Sequence, residues 1–476
     1  MTARRIGLFL GPLVFAITAL TSPPGDMPAE AWLVAGLVVW MASWWMTEAI
    51  PLTATALLPF LVLPFSGVSS ARETAATYYS PILFLILGGA FLALAIERTG
   101  LHKRLSLAIL RAIGNKGGQT QLLLAFMISA ALLSMLISNT STSLIMMPMA
   151  LAVLAGGASS EAVHSEHEND TEGLYGALPM GIAFAASIGG LGTIVGSPTN
   201  AIAVGLLDTM IGVQISFAEW TLYGLPIVII GVPLAAFIVG KFQRVSEHPF
   251  DVAAARAAID THASWTTPEK RLIPIVTITF VAWMSRPLVM PYLPEGSWTD
   301  GTIAIIAGLA LFLLPDGTGR PLLIWKEADR APWGVIMMFG GGLALAAGMQ
   351  ASGLADWLGR ALLPLENLPL IVVALAVVAM IVVITEFASN VATASGIIPV
   401  VAALVVALGA DPVLLAMPAA LAASWGFMLP AGTGPNAIAW STGRIRIERM
   451  VGAGLVLDIV GVFAIVFIVW GIAAIT

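Results

Sequence analysis

Long apolar runs alternate with short polar stretches along the whole chain. A helix needs about 20 predominantly apolar residues to cross a bilayer, so apolar runs bounded by charged and turn residues predict membrane-spanning helices. Eleven such segments are predicted, at 6–22, 31–50, 51–66, 81–97, 174–211, 222–240, 271–289, 300–315, 332–350, 413–442 and 450–475. The pattern therefore predicts an all-α polytopic membrane protein.

Two further apolar runs, 119–156 and 365–408, are about twice as long as one arm of a helical hairpin. Polar residues interrupt each of them midway, at Ser138-Asn139-Thr140 and at Ser389-Asn390. We expect both runs to form re-entrant hairpins. Non-helical backbone at membrane depth is tolerated only where it is buried in protein or lines a cavity, so each hairpin tip is a candidate site.

The chain repeats its own motifs. Ser138-Asn139 recurs as Ser389-Asn390 at an offset of 251 residues, and GSPTNAIA from Gly196 recurs as GTGPNAIA from Gly432 at an offset of 236. The 15-residue difference falls in the polar loop 156–173, which receives no function. In the predicted layout the two halves cross the membrane in opposite directions, as is common in secondary transporters.

The whole chain, 1–476, is predicted to be one membrane transporter domain with two repeats. Its predicted parts are an extra N-terminal helix at 1–30, a first repeat at 31–240 with its hairpin at 119–156, a cytoplasmic linker at 241–270, and a second repeat at 271–476 with its hairpin at 365–408. Duplication without a transport role is the alternative interpretation of this pattern.

Composition and charge strengthen the membrane assignment. Apolar residues make up 58% of the chain and charged residues only 10%, against roughly 25% charged in soluble domains, which excludes a soluble fold. With the N-terminus in the cytoplasm, 18 of the 21 Lys and Arg residues fall on the cytoplasmic side, as the positive-inside rule requires. We therefore expect a multi-pass protein of the cell membrane, with the C-terminus outside and no nucleic acid as partner.

Residue types also limit the chemistry. The chain has no cysteine, and its five histidines all lie in hydrophilic stretches, so an intramembrane enzyme would lack the usual nucleophile and base. We expect no enzymatic activity. A channel is the other alternative, and it would need a continuous pore instead of a closed site between two repeats.

Four polar motifs interrupt the apolar runs, two in each repeat. They are 138–140, 196–200, 389–391 and 432–436, and each combines an amide with at least one hydroxyl. A broken helix exposes carbonyl oxygens that suit Na⁺ and N–H groups that suit a carboxylate. In membrane helices the same residue types also mediate close helix packing, which is the competing interpretation.

Charged residues near these motifs are few. No Lys or Arg lies within them, so a bound anion would be held by neutral dipoles and by a co-bound cation, which predicts cation coupling. Glu386 precedes the second tip, and it is either a proton carrier or a structural carboxylate bonded to freed backbone amides. Asp458 lies within the last apolar run and has no assigned role.

Long motifs in the right order resemble those of the divalent anion/sodium symporter family. Besides the paired Ser-Asn tips, they are WWMTEAIPLTATALLP (44–59), LPMGIAFAASIGGLGTIVGSPTNAIAVG (178–205) and MLPAGTGPNAIAW (428–440). The resemblance implies eleven transmembrane helices, two re-entrant hairpins and a homodimer that works by an elevator motion. Carried onto this sequence, it also implies sites for sodium and for a substrate.

The implied sodium sites and substrate site share the two hairpin tips. One sodium site would use Ser134, Ser138, Asn139 and Gly196, and its repeat mate would use Thr385, Ser389, Asn390 and Gly432. The substrate would meet Ser138, Asn139, Thr140, Ser389 and Asn390 from the tips, and Ser197, Pro198, Thr199 and Thr433 from the helix breaks. Val391 and Gly434 lie beside this site and depart from the family pattern, which has threonine and proline there.

The resemblance implies secondary active import of a small divalent anion driven by the sodium gradient. The expected substrate is a C4-dicarboxylate such as succinate, malate or fumarate, and the expected coupling ions are sodium. A citrate or sulfate transporter, or a sodium-independent dicarboxylate exchanger of the same fold, is the alternative. The departures at Val391 and Gly434 keep the substrate open, and the sodium stoichiometry is open as well.

Overall fold

We analysed a computed structural model of the chain, which describes residues 3–114, 117–157, 171–248, 250–257 and 264–475. Most of the polar loop 156–173 and part of the predicted linker 241–270 therefore lie outside the described residues. The described residues form α-helices and short 3₁₀ turns and contain no β-strand. This confirms the predicted all-helical class.

The first half contains thirteen helices within the described residues. They are α1 (Ala3–Leu20), α2 (Ala29–Thr47), α3 (Leu52–Thr55), α4 (Leu58–Phe65), α5 (Ala71–Thr77), α6 (Pro81–Thr99), α7 (Leu101–Gly114), α8 (Gln119–Ser134), α9 (Asn139–Gly156), α10 (Gly173–Gly190), α11 (Pro198–Ile211), α12 (Phe217–Phe242) and α13 (Val252–Ala257). A 3₁₀ turn at Ile194–Gly196 lies in the break between α10 and α11.

The second half contains eleven helices within the described residues. They are α14 (Thr267–Met284), α15 (Arg286–Val289), α16 (Asp300–Leu313), α17 (Trp325–Ala328), α18 (Trp333–Ala351), α19 (Leu354–Leu362), α20 (Leu370–Phe387), α21 (Asn390–Leu408), α22 (Pro412–Ala422), α23 (Gly434–Ser441) and α24 (Ile447–Ala473). Further 3₁₀ turns lie at Met290–Tyr292 and Leu363–Asn367.

Ten of these helices are long and apolar enough to cross a membrane, or eleven if the bent pair Thr267–Met284 and Arg286–Tyr292 (69°) is one span. This supports a polytopic membrane protein. The set differs from the predicted set, because it includes α9, α20 and α21 from the two predicted hairpins, whereas Asp300–Leu313 is shorter than a full span.

One predicted span is wrong as a continuous helix. The segment 51–66 forms α3 and α4, separated by a turn at Ala56 and Leu57, and its Leu52–Phe65 stretch falls below the length of a span. Prolines explain this break, because a proline lacks the N–H that a continuing helix needs and clashes with the preceding turn. The hydropathy pattern also missed α7 and α19, because both helices are amphipathic and their polar faces lower the mean hydropathy.

Helix order recurs between the halves. Helices α6 to α12 have counterparts in α18 to α24, with the shared motifs at equivalent ends. The contacts cross over, because α11 of the first half packs against α21 and α9 packs against α23. The two halves thus interlock where the four polar motifs lie.

Candidate site for a cation and an anion

Serines begin the second helix of each motif-bearing pair. Ser138 and Ser389 have nearly the same backbone conformation (φ −62°, ψ 150° and φ −62°, ψ 144°) as N-caps of α9 and α21. Their hydroxyls accept hydrogen bonds from the backbone N–H groups of Ser141 and Ala392, both at 3.2 Å. Such N-caps satisfy helix-end donors, so this part of each motif is explained by local folding.

A cluster of oxygen atoms surrounds the Asn139 carboxamide in the first half. The Ser134 hydroxyl donates to Asn139 Oδ1 at 2.7 Å. The same corner of the carboxamide lies 3.1 Å from the Gly196 carbonyl oxygen and 3.3 Å from that of Ala186. If the amide nitrogen occupies this corner, it donates to both carbonyls. If the amide oxygen occupies it, several oxygens face one another, and a bound cation would coordinate them.

Space for this cluster depends on a glycine. A methyl group added to Gly190, in the last turn of α10, would lie 2.2 Å from Asn139 Oδ1. No side chain larger than hydrogen fits there without moving the carboxamide. Gly190 therefore allows the close approach that brings Asn139 to the helix break.

The second half repeats the hydroxyl and amide pair. The Thr385 hydroxyl lies 2.9 Å from both Asn390 Oδ1 and the Ala423 carbonyl oxygen. Gly432 is buried and lies against the main chain of Glu386, the neighbour of Thr385. Four predicted sodium ligands thus belong to pairs that the structure brings together, Ser134 with Asn139 and Thr385 with Asn390.

The capping serines behave differently from those pairs. The Ser138 hydroxyl donates to Ser141 Oγ at 2.9 Å, and Ser389 caps its own helix. The carbonyls of Ala186 and Ala423 join the clusters, although the sequence analysis did not select them. A backbone oxygen carries no residue-type signal, so the sequence could have indicated them only through their position next to a break.

Buried asparagines hold the helix breaks in shape. Asn200 Nδ2 donates to the carbonyls of Gly190 (2.7 Å) and Thr193 (2.8 Å). Its repeat mate Asn436 donates to the Leu429 carbonyl at 3.1 Å. Gly190 is the last residue of α10, where helix carbonyls lose their intrahelical donors, whereas the Thr193 and Leu429 carbonyls also accept the backbone N–H groups of Gly196 and Gly432. The repeated Asn in the two motifs was the signal that could have identified both residues.

The Glu386 carboxylate also holds the helix break of the second half in shape. Glu386 is buried, and its two oxygens each accept a backbone N–H at 2.9 Å, from Met428 and Leu429. This agrees with the structural alternative for Glu386. Asp458 of α24 is buried beside Glu386 and close to the main chain of Phe427.

The predicted substrate residues come from both halves. Thr140 at the first tip lies next to Gly434 in the second break, where an added methyl group would be 2.4 Å from Thr140 Oγ1. Ser197, Thr199 and Thr433 are buried, whereas Val391 is half-buried and packs against the apolar core. The tip of one half thus meets the break of the other.

A cavity of about 190 Å³ reaches part of this site. It lies between α6, the first tip and the first break, and the predicted residues on its wall are Ser138, Ser197 and Pro198. The other predicted substrate residues do not line it: Asn139, Thr140, Thr199, Ser389, Asn390, Val391, Thr433 and Gly434. Its volume is below the roughly 300–1,000 Å³ of sites for drug-sized ligands, which suits a small ligand.

Interlocked halves with broken helices and oxygen-rich breaks define a membrane transporter of the secondary class. Residues 3–475 match the family described as the sodium:sulfate symporter transmembrane region, and the chain belongs to this family. Membership confirms the resemblance drawn from the motifs and the expectation of a transporter instead of an enzyme.

Two named relatives and one solved structure are similar to the chain over almost its whole length. It is 36% identical to the sodium-dependent dicarboxylate transporter SdcS of Staphylococcus saprophyticus, over 98% of this chain and 90% of the relative. It is also 36% identical to SdcS of Staphylococcus aureus strain MRSA252, over 98% and 91%. The crystal structure of the Alcanivorax borkumensis YdaH transporter covers 98% of both chains with a TM-score of 0.54 at 15% identity, so the likeness concerns the fold alone.

Proposed function

We propose that this protein imports a small divalent anion, with a C4-dicarboxylate as the expected substrate, together with sodium ions. The observation that carries the proposal is the pair of matching oxygen clusters, Ser134 with Asn139 and Thr385 with Asn390. The full-length relatives named sodium-dependent dicarboxylate transporters support both the ion and the substrate class.

Each cluster would hold one sodium ion with neutral oxygens. Asn139 would turn its carboxamide oxygen toward the ion, joined by Ser134 Oγ and the Gly196 carbonyl, and Asn390 would act with Thr385 and Gly432 in the second half. Ser138 and Ser389 would fix the tips from their cap positions. Two bound cations would offset the two charges of a dicarboxylate, which explains a site without Lys or Arg in its motifs.

The anion would lie between the tips and the breaks. Helix N-termini favour negative charge, and α9, α11, α21 and α23 all begin at the four motifs. Hydroxyls of Ser138, Thr140, Ser197 and Thr433 would donate to the carboxylate oxygens. Because Val391 offers no hydroxyl and Gly434 leaves room beside Thr140, substrate selection would depend on the remaining polar groups of the tips and breaks.

The membrane arrangement completes the proposal. The pairs α8 with α9 and α20 with α21 would be the re-entrant hairpins of two inverted repeats, 31–240 and 271–476. The chain would form a homodimer in the bacterial inner membrane, with its N-terminus in the cytoplasm, its C-terminus outside and an elevator motion of the motif-bearing helices. The cavity would then open to the cytoplasm, because its wall includes Glu97 and Arg330 at that side.

Uptake into proteoliposomes tests the function. Radiolabelled succinate would be supplied with an inward sodium gradient, and with choline replacing sodium in the control, while unlabelled malate, fumarate, citrate and sulfate compete. We expect uptake that requires sodium and is reduced by malate and fumarate. Uptake indifferent to sodium would support the sodium-independent exchanger. If citrate or sulfate competes and malate and fumarate do not, that anion would replace the C4-dicarboxylate as the expected substrate.

A further inference from the structure

The cavity that reaches the first tip has one ion pair on its wall. Arg330 Nη2 lies 3.2 Å from Glu97 Oε1, and these two residues are the charged ones among the described residues that line the cavity. Their side chains are 57% and 39% exposed. The pair therefore lies where the cavity meets solvent.

Hydroxyl groups lie elsewhere on the same wall. They belong to Ser138, Ser141 and Ser197, and most of the remaining wall is apolar. An anion moving between solvent and the tip would pass from a guanidinium, along an apolar stretch, to these hydroxyls. The cavity thus connects a single basic side chain with the proposed binding motifs.

Neighbouring ion pairs are fixed more firmly than this one. Arg98 donates to the fully buried Asp316 carboxylate at 2.5 Å, and Arg320 donates to Glu327 at 2.6 Å. Arg330, in contrast, makes a longer contact and is more exposed. Exposed ion pairs contribute little to stability and exchange readily, so another carboxylate can replace Glu97 on Arg330.

We propose that Arg330 is a transient binding point for the anionic substrate at the mouth of this cavity and that Glu97 competes with the substrate for it. The proposal rests on the function proposed above and adds a residue outside the four motifs. A guanidinium suits this role because its fork of N–H donors matches a carboxylate in bidentate geometry. Release of the anion returns Arg330 to Glu97.

The proposal is tested by measuring how fast radiolabelled succinate associates with the purified, detergent-solubilised protein. The measurement is made at saturating sodium and at several ionic strengths. Arg330→Gln is expected to slow association about two- to threefold near 0.15 M salt, and Glu97→Gln to accelerate it by a similar factor, because long-range attraction acts mainly on association and is screened by salt. Both effects grow as ionic strength falls. Arg330→Lys, which keeps the charge, is expected to retain the salt dependence.

Two exposed residues off the cavity wall supply matched controls. Lys326→Gln and Glu247→Gln change the net charge equally and should change the rate and its salt dependence less than Arg330→Gln and Glu97→Gln do. A merely structural role for Arg330 would lower the melting temperature without changing the salt dependence. That outcome, or wild-type rates in both Arg330→Gln and Glu97→Gln, overturns the proposal while the proposed function stands.

A failure of the proposed function has a different signature. If the wild type binds no succinate with sodium, the dicarboxylate assignment fails, and the same variants are then measured with sulfate and citrate. Arg330 responds to anionic charge, so the opposite effects of Arg330→Gln and Glu97→Gln should persist with whichever anion binds. If no anion binds, both proposals are overturned.

Discussion

Replacing Asn139 by alanine is the sharpest perturbation of the proposed first sodium site. The change removes a carboxamide whose inner corner lies 2.7 Å from Ser134 Oγ, 3.1 Å from the Gly196 carbonyl and 3.3 Å from the Ala186 carbonyl. It leaves the Ser138 cap of α9 in place, and alanine is a better helix former than asparagine. The expected damage is therefore local.

The size of the expected loss in sodium affinity follows from the contact that Asn139→Ala removes. A hydrogen bond or dipole contact to a charged group is worth about 1.5–3 kcal/mol, which corresponds to about a 10- to 150-fold weaker sodium affinity. Ser134 is buried and loses its partner, which costs the fold about 1–3 kcal/mol. We expect transport to be abolished at ordinary sodium concentrations while expression remains largely intact.

Sodium activation of succinate uptake in proteoliposomes measures the effect. Asn390→Ala should show the same loss, because Asn390 pairs with Thr385 as Asn139 does with Ser134. Asn367→Ala is the matched control, since this exposed asparagine donates to the Pro364 carbonyl of its own turn and lies outside the four motifs. Normal sodium dependence in both Asn139→Ala and Asn390→Ala would refute the assignment of the two clusters.

Three further predictions follow from single contacts. Glu386→Gln removes one of the two acceptors for backbone N–H groups at the second break, so a higher sodium concentration should be needed for half-maximal uptake, and an unchanged activation curve would contradict this role. Gly434→Ala places a methyl group 2.4 Å from Thr140 Oγ1 and should impair uptake. A second change, Thr140→Ser, keeps the hydroxyl but lets it rotate away from that methyl group, so it should restore part of the uptake, and no rescue would argue against the contact. Burial acts to raise the pKa of Asp316, but hydrogen bonds, foremost from Arg98, outweigh it and hold that pKa far below its usual range. The resulting stabilisation is fully present above about pH 4 and is lost progressively as the pH falls from there toward the lowered pKa. Asp316→Asn should therefore flatten the acid dependence of the melting temperature, and an unchanged profile would contradict it.

The tips of the two motif-bearing helix pairs were predictable because their chemistry is local. Ser138 and Ser389 are N-caps, and the same residue type recurs at a constant offset, so sequence alone located both helix starts. Ser134 and Thr385 were implied by the family resemblance, and the structure places each of them beside the asparagine that follows five residues later. Local hydrogen bonding and the internal repeat therefore explain why the starts of α9 and α21 were predictable.

Contacts between distant segments were less accessible to sequence analysis. The approach of Thr140 to Gly434 joins opposite halves, and the pairing of Glu97 with Arg330 joins residues 233 apart. Neither has a periodic signal. The break of 51–66 into α3 and α4 was hidden for another reason, because most of its residues are apolar and hydropathy does not distinguish a continuous helix from a broken one.

Simultaneous measurement of sodium and succinate fluxes tests the central claim most directly. Proteoliposomes would receive ²²Na⁺ and ¹⁴C-succinate together, with each solute also omitted in turn. The account predicts that protein-dependent sodium entry requires succinate, that succinate entry requires sodium, and that Asn139→Ala loses both fluxes. Succinate entry at the same rate without sodium, or with no accompanying sodium flux, would contradict it.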